Sequence, residues 1–141
     1  MTYKEEEQLP IVRDGTELLT DVGSTPIVTA ATVELVPFLK DRECYVTGVE
    51  LLRRARDLDA NLGEHQALQI LEHVDDIPKE FYPFHLVLPG TIREMVNLTT
   101  KPPTTFRYVP FLDPISGLYA LNYYWVGSNF FGHIRLLRFT G

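Results

Sequence analysis

The four histidines are the first residues to consider as catalytic groups or metal ligands. His65 and His73 lie eight positions apart in a segment predicted to be helical, whereas two imidazoles that share a metal ion on a helix usually lie three or four positions apart. We therefore assign both to a solvated helix face and predict no metal site. His85 and His133 belong to two separate predicted strands. They could form a small catalytic pocket with neighbouring tyrosines if the fold places these strands side by side.

The other reactive side chains indicate no enzyme class. Cys44 is the only cysteine, which excludes an internal disulfide and fits a reducing compartment. No adjacent histidine or helix start marks it as a thiolate, so we expect a small buried thiol. The chain has no Gly-x-Ser-x-Gly elbow, no Gly-rich phosphate loop and no Cys-x-x-Cys pair. We assign no catalytic residue and no cofactor, and we favour a protein without enzymatic activity.

Aromatic residues are concentrated in the C-terminal part of the chain. Thirteen of the sixteen aromatic residues follow position 80, whereas seventeen of the nineteen acidic residues precede it. Residues 1–80 carry a formal charge of −9 and residues 81–141 a formal charge of +3. In the predicted strand Leu118–Val126, apolar side chains occupy both faces. Either both faces are covered within the chain, or one of them binds a partner or ligand.

The partner surface that we favour is built from the large side chains of this C-terminal part. We expect a homo-oligomer that uses this aromatic sheet surface, with a small molecule or another protein as the alternative partner. The candidate ligand or interface residues are Tyr119, Tyr123, Tyr124, Trp125, Phe130, Phe131, His133 and Arg107.

A single-stranded nucleic-acid binder is a further alternative, because arginines alternate with tyrosines in this region. Five basic residues in sixty-one are sparse for such a groove, so nucleic acid is the less favoured partner. The arginines concerned are Arg93, Arg107, Arg135 and Arg138.

Helical spacing predicts two short helices in the acidic half. Thr47 and Glu50 form a capping-box pattern before the first helix, and Asn61 and Glu64 form a similar pattern before the second. The second helix should end near Asp76, because Pro78 disfavours helical geometry at the preceding residue. The helix pair should cover one face of the sheet. Apolar residues on one side of each helix should be buried: Leu51, Ala55, Leu58, Ile70, Leu71 and Val74.

Strand patterns predict an α+β fold in a single domain. Residues 27–36 are rich in β-branched side chains and are predicted as a strand, with a helix left open. A four-stranded antiparallel meander or small curled barrel should follow, with a turn at 113–117 in which Gly117 takes positive φ. Its strands are predicted at 84–88, 104–112, 118–126 and 130–139. We interpret 1–12 as a flexible acidic tail, 13–80 as the strand and helix-hairpin part, and 81–141 as the aromatic β part.

The bulk composition is that of an ordinary globular protein, with 45% hydrophobic and 23% charged residues. The net charge of −6 argues against non-specific binding to duplex DNA or to an anionic membrane. No apolar run approaches the roughly 20 residues of a membrane helix, and the acidic N-terminus is unlike a signal peptide. We expect a cytoplasmic location.

Four segments of the chain resemble small bacterial proteins. They are Glu50-Leu-Leu-Arg-Arg-Ala-Arg56, Ile77-Pro-Lys-Glu-Phe81, Leu86-Val-Leu-Pro-Gly-Thr91 and Arg135-Leu-Leu-Arg138. The resemblance covers the helix pair and the following β-meander, and it implies no activity, cofactor or partner.

Overall fold

The computed structural model describes residues 16–115 and 118–141, which form two α-helices, nine strands and three 3₁₀ turns. The helices are α1 (Gly48–Asp57) and α2 (Glu64–Leu71), and the 3₁₀ turns are Ala30–Thr32, Val74–Asp76 and Lys79–Phe81. The strands are β1 (Glu17–Asp21), β2 (Val33–Val36), β3 (Tyr45–Thr47), β4 (His85–Val87), β5 (Thr91–Asn97), β6 (Thr104–Ile115), β7 (Leu118–Trp125), β8 (Asn129–Phe131) and β9 (Ile134–Phe139). The α+β class is confirmed. The 1–12 tail and the φ angle of Gly117 lie outside the described residues.

Seven strands form one curled sheet, and β3 and β8 pair in a second, two-stranded sheet. The order in the large sheet is β1-β5-β6-β4-β9-β2, and β7 pairs with the other edge of β6. The predicted pairing of the two hairpin strands is confirmed, because β6 and β7 pair in one continuous antiparallel register from Tyr108 and Trp125 to Ile115 and Leu118. The prediction that the turn begins at Asp113 is wrong, because β6 continues in this pairing to Ile115.

The strand order differs from a simple meander. Strand β4 lies between β6 and β9, antiparallel to the first and parallel to the second, and β5 is a strand that the sequence pattern did not predict. The strand predicted at 130–139 divides at Gly132, because Phe130 pairs with β3 in the small sheet while β9 joins the large one. The strand predicted at 27–36 starts only at Val33, because the hydroxyls of Thr29 and Thr32 accept nearby backbone N–H bonds and close a 3₁₀ turn.

Each face of the large sheet is covered by one helix. Leu86, Leu112 and Leu137 pack in one core with α2, and their strand neighbours Val87, Phe111 and Leu136 pack in a second core with α1. Strands buried on both faces lack a polar side. This two-sided cover explains the apolar character of β7, and the expectation that both helices cover one face is wrong.

Helix α1 starts where the sequence predicts. Thr47 is the N-cap, and its hydroxyl accepts a 3.2 Å bond from the N–H of Glu50. The Glu50 carboxylate turns towards Arg53 and Arg54 instead of reaching back to Thr47. Gly48 follows the cap because a Cβ there would lie 1.8 Å from the carbonyl oxygen of Val126.

Helix α2 starts two residues later than predicted, with Gly63 instead of Asn61 as its N-cap. The hydroxyl of Thr91 accepts the N–H of Glu64, and a Cβ on Gly63 would lie 2.4 Å from that hydroxyl. The helix ends at Leu71, and a separate 3₁₀ turn follows.

Three of the six apolar residues assigned to the helix cores are buried: Leu51, Ala55 and Ile70. The other three are only half-buried at the margin of the cores: Leu58, Leu71 and Val74. Neither α1 nor α2 has the length and apolar character that a membrane-crossing helix requires.

Candidate functional site

The parallel pairing of β4 with β9 brings two of the histidines together. The N–H of His85 donates a 3.0 Å bond to the carbonyl oxygen of His133, and the two rings meet edge to face with centroids 4.8 Å apart. A histidine pocket requires the fold to place the two predicted strands side by side. The pairing of β4 with β9 meets this requirement.

A tyrosine and an aspartate complete this group, which we call the His85 cluster (His85, His133, Asp113 and Tyr124). Nδ1 of His85 lies 2.7 Å from the hydroxyl of Tyr124, and Nε2 lies 3.7 Å from Oδ1 of Asp113. The imidazole stacks on Phe111 with centroids 5.3 Å apart, and Tyr124 stacks on the same ring at 4.0 Å. Aromatic packing therefore fixes both hydrogen-bonding rings.

Burial shifts the pKa of two members of the cluster. It raises the pKa of Tyr124 to about 12, and the charge of Asp113 acts in the same direction. The hydroxyl therefore keeps its proton, which it can donate to Nδ1 of His85. Burial also lowers the pKa of His85; Asp113 opposes this effect and His133 adds to it. We assign the proton of the neutral imidazole to Nε2, the nitrogen that faces Asp113. In this arrangement no lone pair of His85 is open to a substrate.

The described residues contain no set of three or more His, Cys, Asp or Glu side chains arranged to hold a metal ion. His65 lies 3.7 Å from Asp21 through Nε2 and Oδ2, at the surface of α2. The exposed His73 lies beyond the end of that helix.

Two of the predicted interface residues belong to the cores. Phe130 is 0% exposed and packs edge to face on Tyr124. Tyr119 is buried, and its hydroxyl donates to the carbonyl oxygen of Phe81. Burial raises the pKa of this tyrosine. In the monomer these two side chains present no surface to a partner, because the helices and the small sheet already cover them.

Tyr123 belongs to a buried polar network that the sequence did not reveal. Its hydroxyl donates a 2.7 Å bond to Oε1 of Glu64, and Arg93 donates to both oxygens of the same carboxylate at 2.7 and 2.8 Å. The hydroxyl of Thr91 links the N–H of Glu64 to the carboxylate of Asp21. We call Asp21, Glu64, Thr91, Arg93 and Tyr123 the Glu64 network. No motif marks it, because its members come from four separate elements.

The arginines assigned to a nucleic-acid groove are bound within the chain. Arg93 belongs to the Glu64 network, and Arg107 lies 3.3 Å from Glu94. Arg138 lies 2.7 Å from Glu34 and also donates to the carbonyl oxygen of Leu58. Arg135 donates to the carbonyl oxygens of Gly132 and Ile134 and lies over the ring of Phe84.

Three aromatic residues near the β7–β8 turn remain exposed, and we call them the aromatic rim. They are Tyr45, Trp125 and Phe131, with exposed fractions of 48%, 47% and 44%. Tyr45 and Phe131 are partners across the small sheet with ring centroids 5.6 Å apart. Trp125 packs on Phe106 at 6.0 Å. Cys44, next to Tyr45, is exposed and not buried as expected, because it precedes β3 outside either core.

No protein family, curated protein or solved structure matches the chain. The resemblance to small bacterial proteins thus gains no support from these comparisons, and function has to be argued from the site itself.

Proposed function

We propose that the chain is a non-enzymatic binding or assembly protein that self-associates through the aromatic rim. The observation that carries this proposal is the exposure of Tyr45, Trp125 and Phe131 on uncharged strands. Tyrosine, tryptophan and phenylalanine are enriched at interfaces, where they bury much area at little entropic cost.

Charge supports a contact between copies at this place. A chain with a net charge of −6 repels its own copies. Strands β3, β7 and β8 carry no charged residue, so a contact there brings few like charges together. The lone exposed Cys44 is compatible with the cytoplasmic location that we include in this proposal.

Suitable variants for the test change an exposed residue of the rim and not a core residue. Tyr124 is stacked on Phe111 in a core, so an arginine there would disrupt folding. Phe131→Arg and Trp125→Arg place a charge in the rim and leave both cores intact. Phe139→Arg is the matched control, because Phe139 is also an exposed aromatic residue at the end of β9.

Sedimentation velocity at micromolar concentration is the measurement. We expect a dimer or larger oligomer for the wild type and for Phe139→Arg, and folded monomers for the two rim variants. A wild-type monomer would refute self-association. Dissociation by Phe139→Arg alone would place the contact elsewhere.

A second candidate function is an enzyme that uses His85 and His133, and the contact between their rings favours it. A general base needs an open lone pair, so Tyr124 would have to release His85 when a substrate binds. Acylation by diethyl pyrocarbonate, followed by peptide mass spectrometry, tests this. Faster modification of His85 than of the exposed His73 would support the enzyme, and slower modification would support a structural role.

A further inference from the structure

A pocket lies between α1 and the segment that follows β2, and its lining shares no residue with the His85 cluster or the aromatic rim. It encloses about 290 Å³, near the lower end of the roughly 300–1,000 Å³ of small-molecule sites. At about 30 Å³ per water in the liquid, this volume equals roughly ten waters. A molecule of about ten non-hydrogen atoms would fill it.

One wall of the pocket is apolar and is formed by four side chains. Phe38 is buried and belongs to the α1 core, and Leu39 and Leu58 are half-buried beside it. The complete apolar wall is Pro37, Phe38, Leu39 and Leu58. Such a wall accepts a hydrocarbon chain or a small ring.

The pocket is preformed, because hydrogen bonds from Arg54 hold the segment after β2 against α1. Its guanidinium donates to the carbonyl oxygen of Phe38 at 2.8 Å and to both oxygens of Glu43 at 2.6 and 2.8 Å. Its Nε donates to Glu50 at 2.7 Å. Hydrogen bonds from Arg54 and the backbone of Lys40 lower the pKa of Glu43 to about 2. The Glu43 carboxylate therefore stays ionised near neutral pH, and its hydrogen bonds with Arg54 persist there.

One cation of the polar rim, Lys40, has no carboxylate partner among the described residues, whereas Arg53 and Arg54 direct their N–H donors to Glu43, Glu50, Asp57 and the carbonyl oxygen of Phe38. The lining includes the cations of Lys40, Arg53 and Arg54 and the single carboxylate of Asp57. Glu43 and Glu50 already accept bonds on both oxygens from these arginines. Lys40 forms no ion pair with any residue in 16–115 or 118–141, and an ammonium brings three donors. An acceptor-rich head group fits this rim better than a donor does.

We propose that this pocket binds a small amphipathic carboxylate, with its apolar body on Phe38 and Leu58 and its carboxylate at Lys40. The ligand class follows from the two halves of the site: an apolar wall selects a hydrocarbon body, and the ammonium of Lys40 selects an anionic head. This inference is independent of self-association, since the pocket shares no residue with the aromatic rim.

Titration of the ¹⁵N-labelled full chain with hexanoate, followed by amide NMR spectra, is the test. Hexanol and hexylamine share the apolar chain and replace the carboxylate with a neutral or cationic head. Hexanoate should shift the amides of residues 38–40 and 53–58 and bind about tenfold more tightly than hexanol, which corresponds to about 1.4 kcal/mol. Lys40→Gln should remove that advantage. Lys79→Gln, an exposed lysine far along the chain, should leave it unchanged.

Three results would overturn the proposal. They are equal affinity for hexanoate and hexanol, stronger binding of hexylamine, and an unchanged affinity in a folded Lys40→Gln variant. The absence of binding by all three probes at millimolar concentration would also overturn it. The spectra themselves report whether each variant is folded.

Discussion

Helices α1 and α2 cover opposite faces of the same sheet, but different interactions hold them there. Helix α1 buries Leu51 and Ala55 against Phe130; its Arg53 ion pairs lie at the surface, and its Arg54 ion pairs are partly buried. Arg53 pairs with Glu50 and Asp57 while remaining half exposed, and exposed helix pairs of this kind stabilise by about 0.3–0.5 kcal/mol.

Helix α2 is held by buried polar groups as well as by Ala67 and Ile70. Gln66 is fully buried; its side chain accepts the N–H of Gly63 and donates to the carbonyl oxygens of Gly23 and Pro26. Buried polar groups need partners with good geometry. The α2 side therefore depends on several buried polar groups, Gln66 and the Glu64 network, whereas the α1 side combines its apolar contacts with a single buried arginine, Arg54.

The largest loss of stability is expected at the core beneath α1. Phe130→Ala should lower the free energy of unfolding by about 3–5 kcal/mol, because it leaves a cavity among Tyr124, Val46 and Leu51. Phe131→Ala, one residue along the same strand but exposed, should cost less than about 1 kcal/mol. Urea denaturation measures both, and similar losses would show that β8 is misassigned.

On the α2 side, Gln66→Ala should be less harmful than Phe130→Ala but more harmful than Gln69→Ala. It leaves the N–H of Gly63 and two carbonyl oxygens without their partner, and unsatisfied buried groups cost about 1–3 kcal/mol. Gln69→Ala removes one bond, from the N–H of Val28, and should cost about 1 kcal/mol. If Gln69→Ala loses more unfolding free energy than Gln66→Ala in urea melts, the conclusion that Gln66 makes the larger polar contribution is wrong.

The helix starts provide a smaller contrast. Thr47→Ala removes the side-chain cap of α1 and should cost about 1 kcal/mol. Asn61→Ala should cost less than about 0.5 kcal/mol, because Gly63 is the N-cap of α2. Thermal melts of both variants are the measurement. A greater loss of stability in Asn61→Ala than in Thr47→Ala would indicate that Asn61 is the N-cap of α2.

The smallest expected effect is a dependence of stability on pH at the His85 cluster. The folded state lowers the pKa of His85, chiefly through burial, so the unfolded chain binds the proton more readily. Stability should be complete above the unfolded pKa of about 6.5 and should fall as the pH drops below it. His85→Gln should flatten this slope, and His73→Gln should not. The measurement is the urea midpoint of unfolding at several pH values in this range. If its pH dependence is unchanged in His85→Gln, a group other than His85 causes the effect.

Local patterns predicted the parts of the fold that depend on neighbouring residues. The Thr47 cap, the apolar stripe through Leu51 and Ala55, and the β6–β7 hairpin all followed from spacing and turn chemistry. Leu71 lies at the edge of its core, so Leu71→Ala should cost less than the 2–5 kcal/mol expected for a fully enclosed leucine.

Partners distant in sequence could not be predicted in the same way. His85 meets Tyr124 only because β4 lies between β6 and β9, an order that no local pattern specifies. Arg93 looked like a nucleic-acid contact, yet it pairs with Glu64, twenty-nine residues away. Strand β5 was missed because it carries charged residues among its apolar ones.

The most direct test of the claim that a buried polar network holds the α2 side compares Arg93→Met with the exposed control Arg107→Met in parallel urea melts. The Arg93 and Glu64 side chains are only 13% and 7% exposed, so Arg93→Met breaks a buried ion pair and removes both of its N–H donors to the Glu64 carboxylate; it should cost about 3–5 kcal/mol. The Arg107 side chain is 57% exposed in its pair with Glu94, and its replacement should cost less than about 1 kcal/mol. Equal small losses would contradict the claim that a buried polar network holds the α2 side.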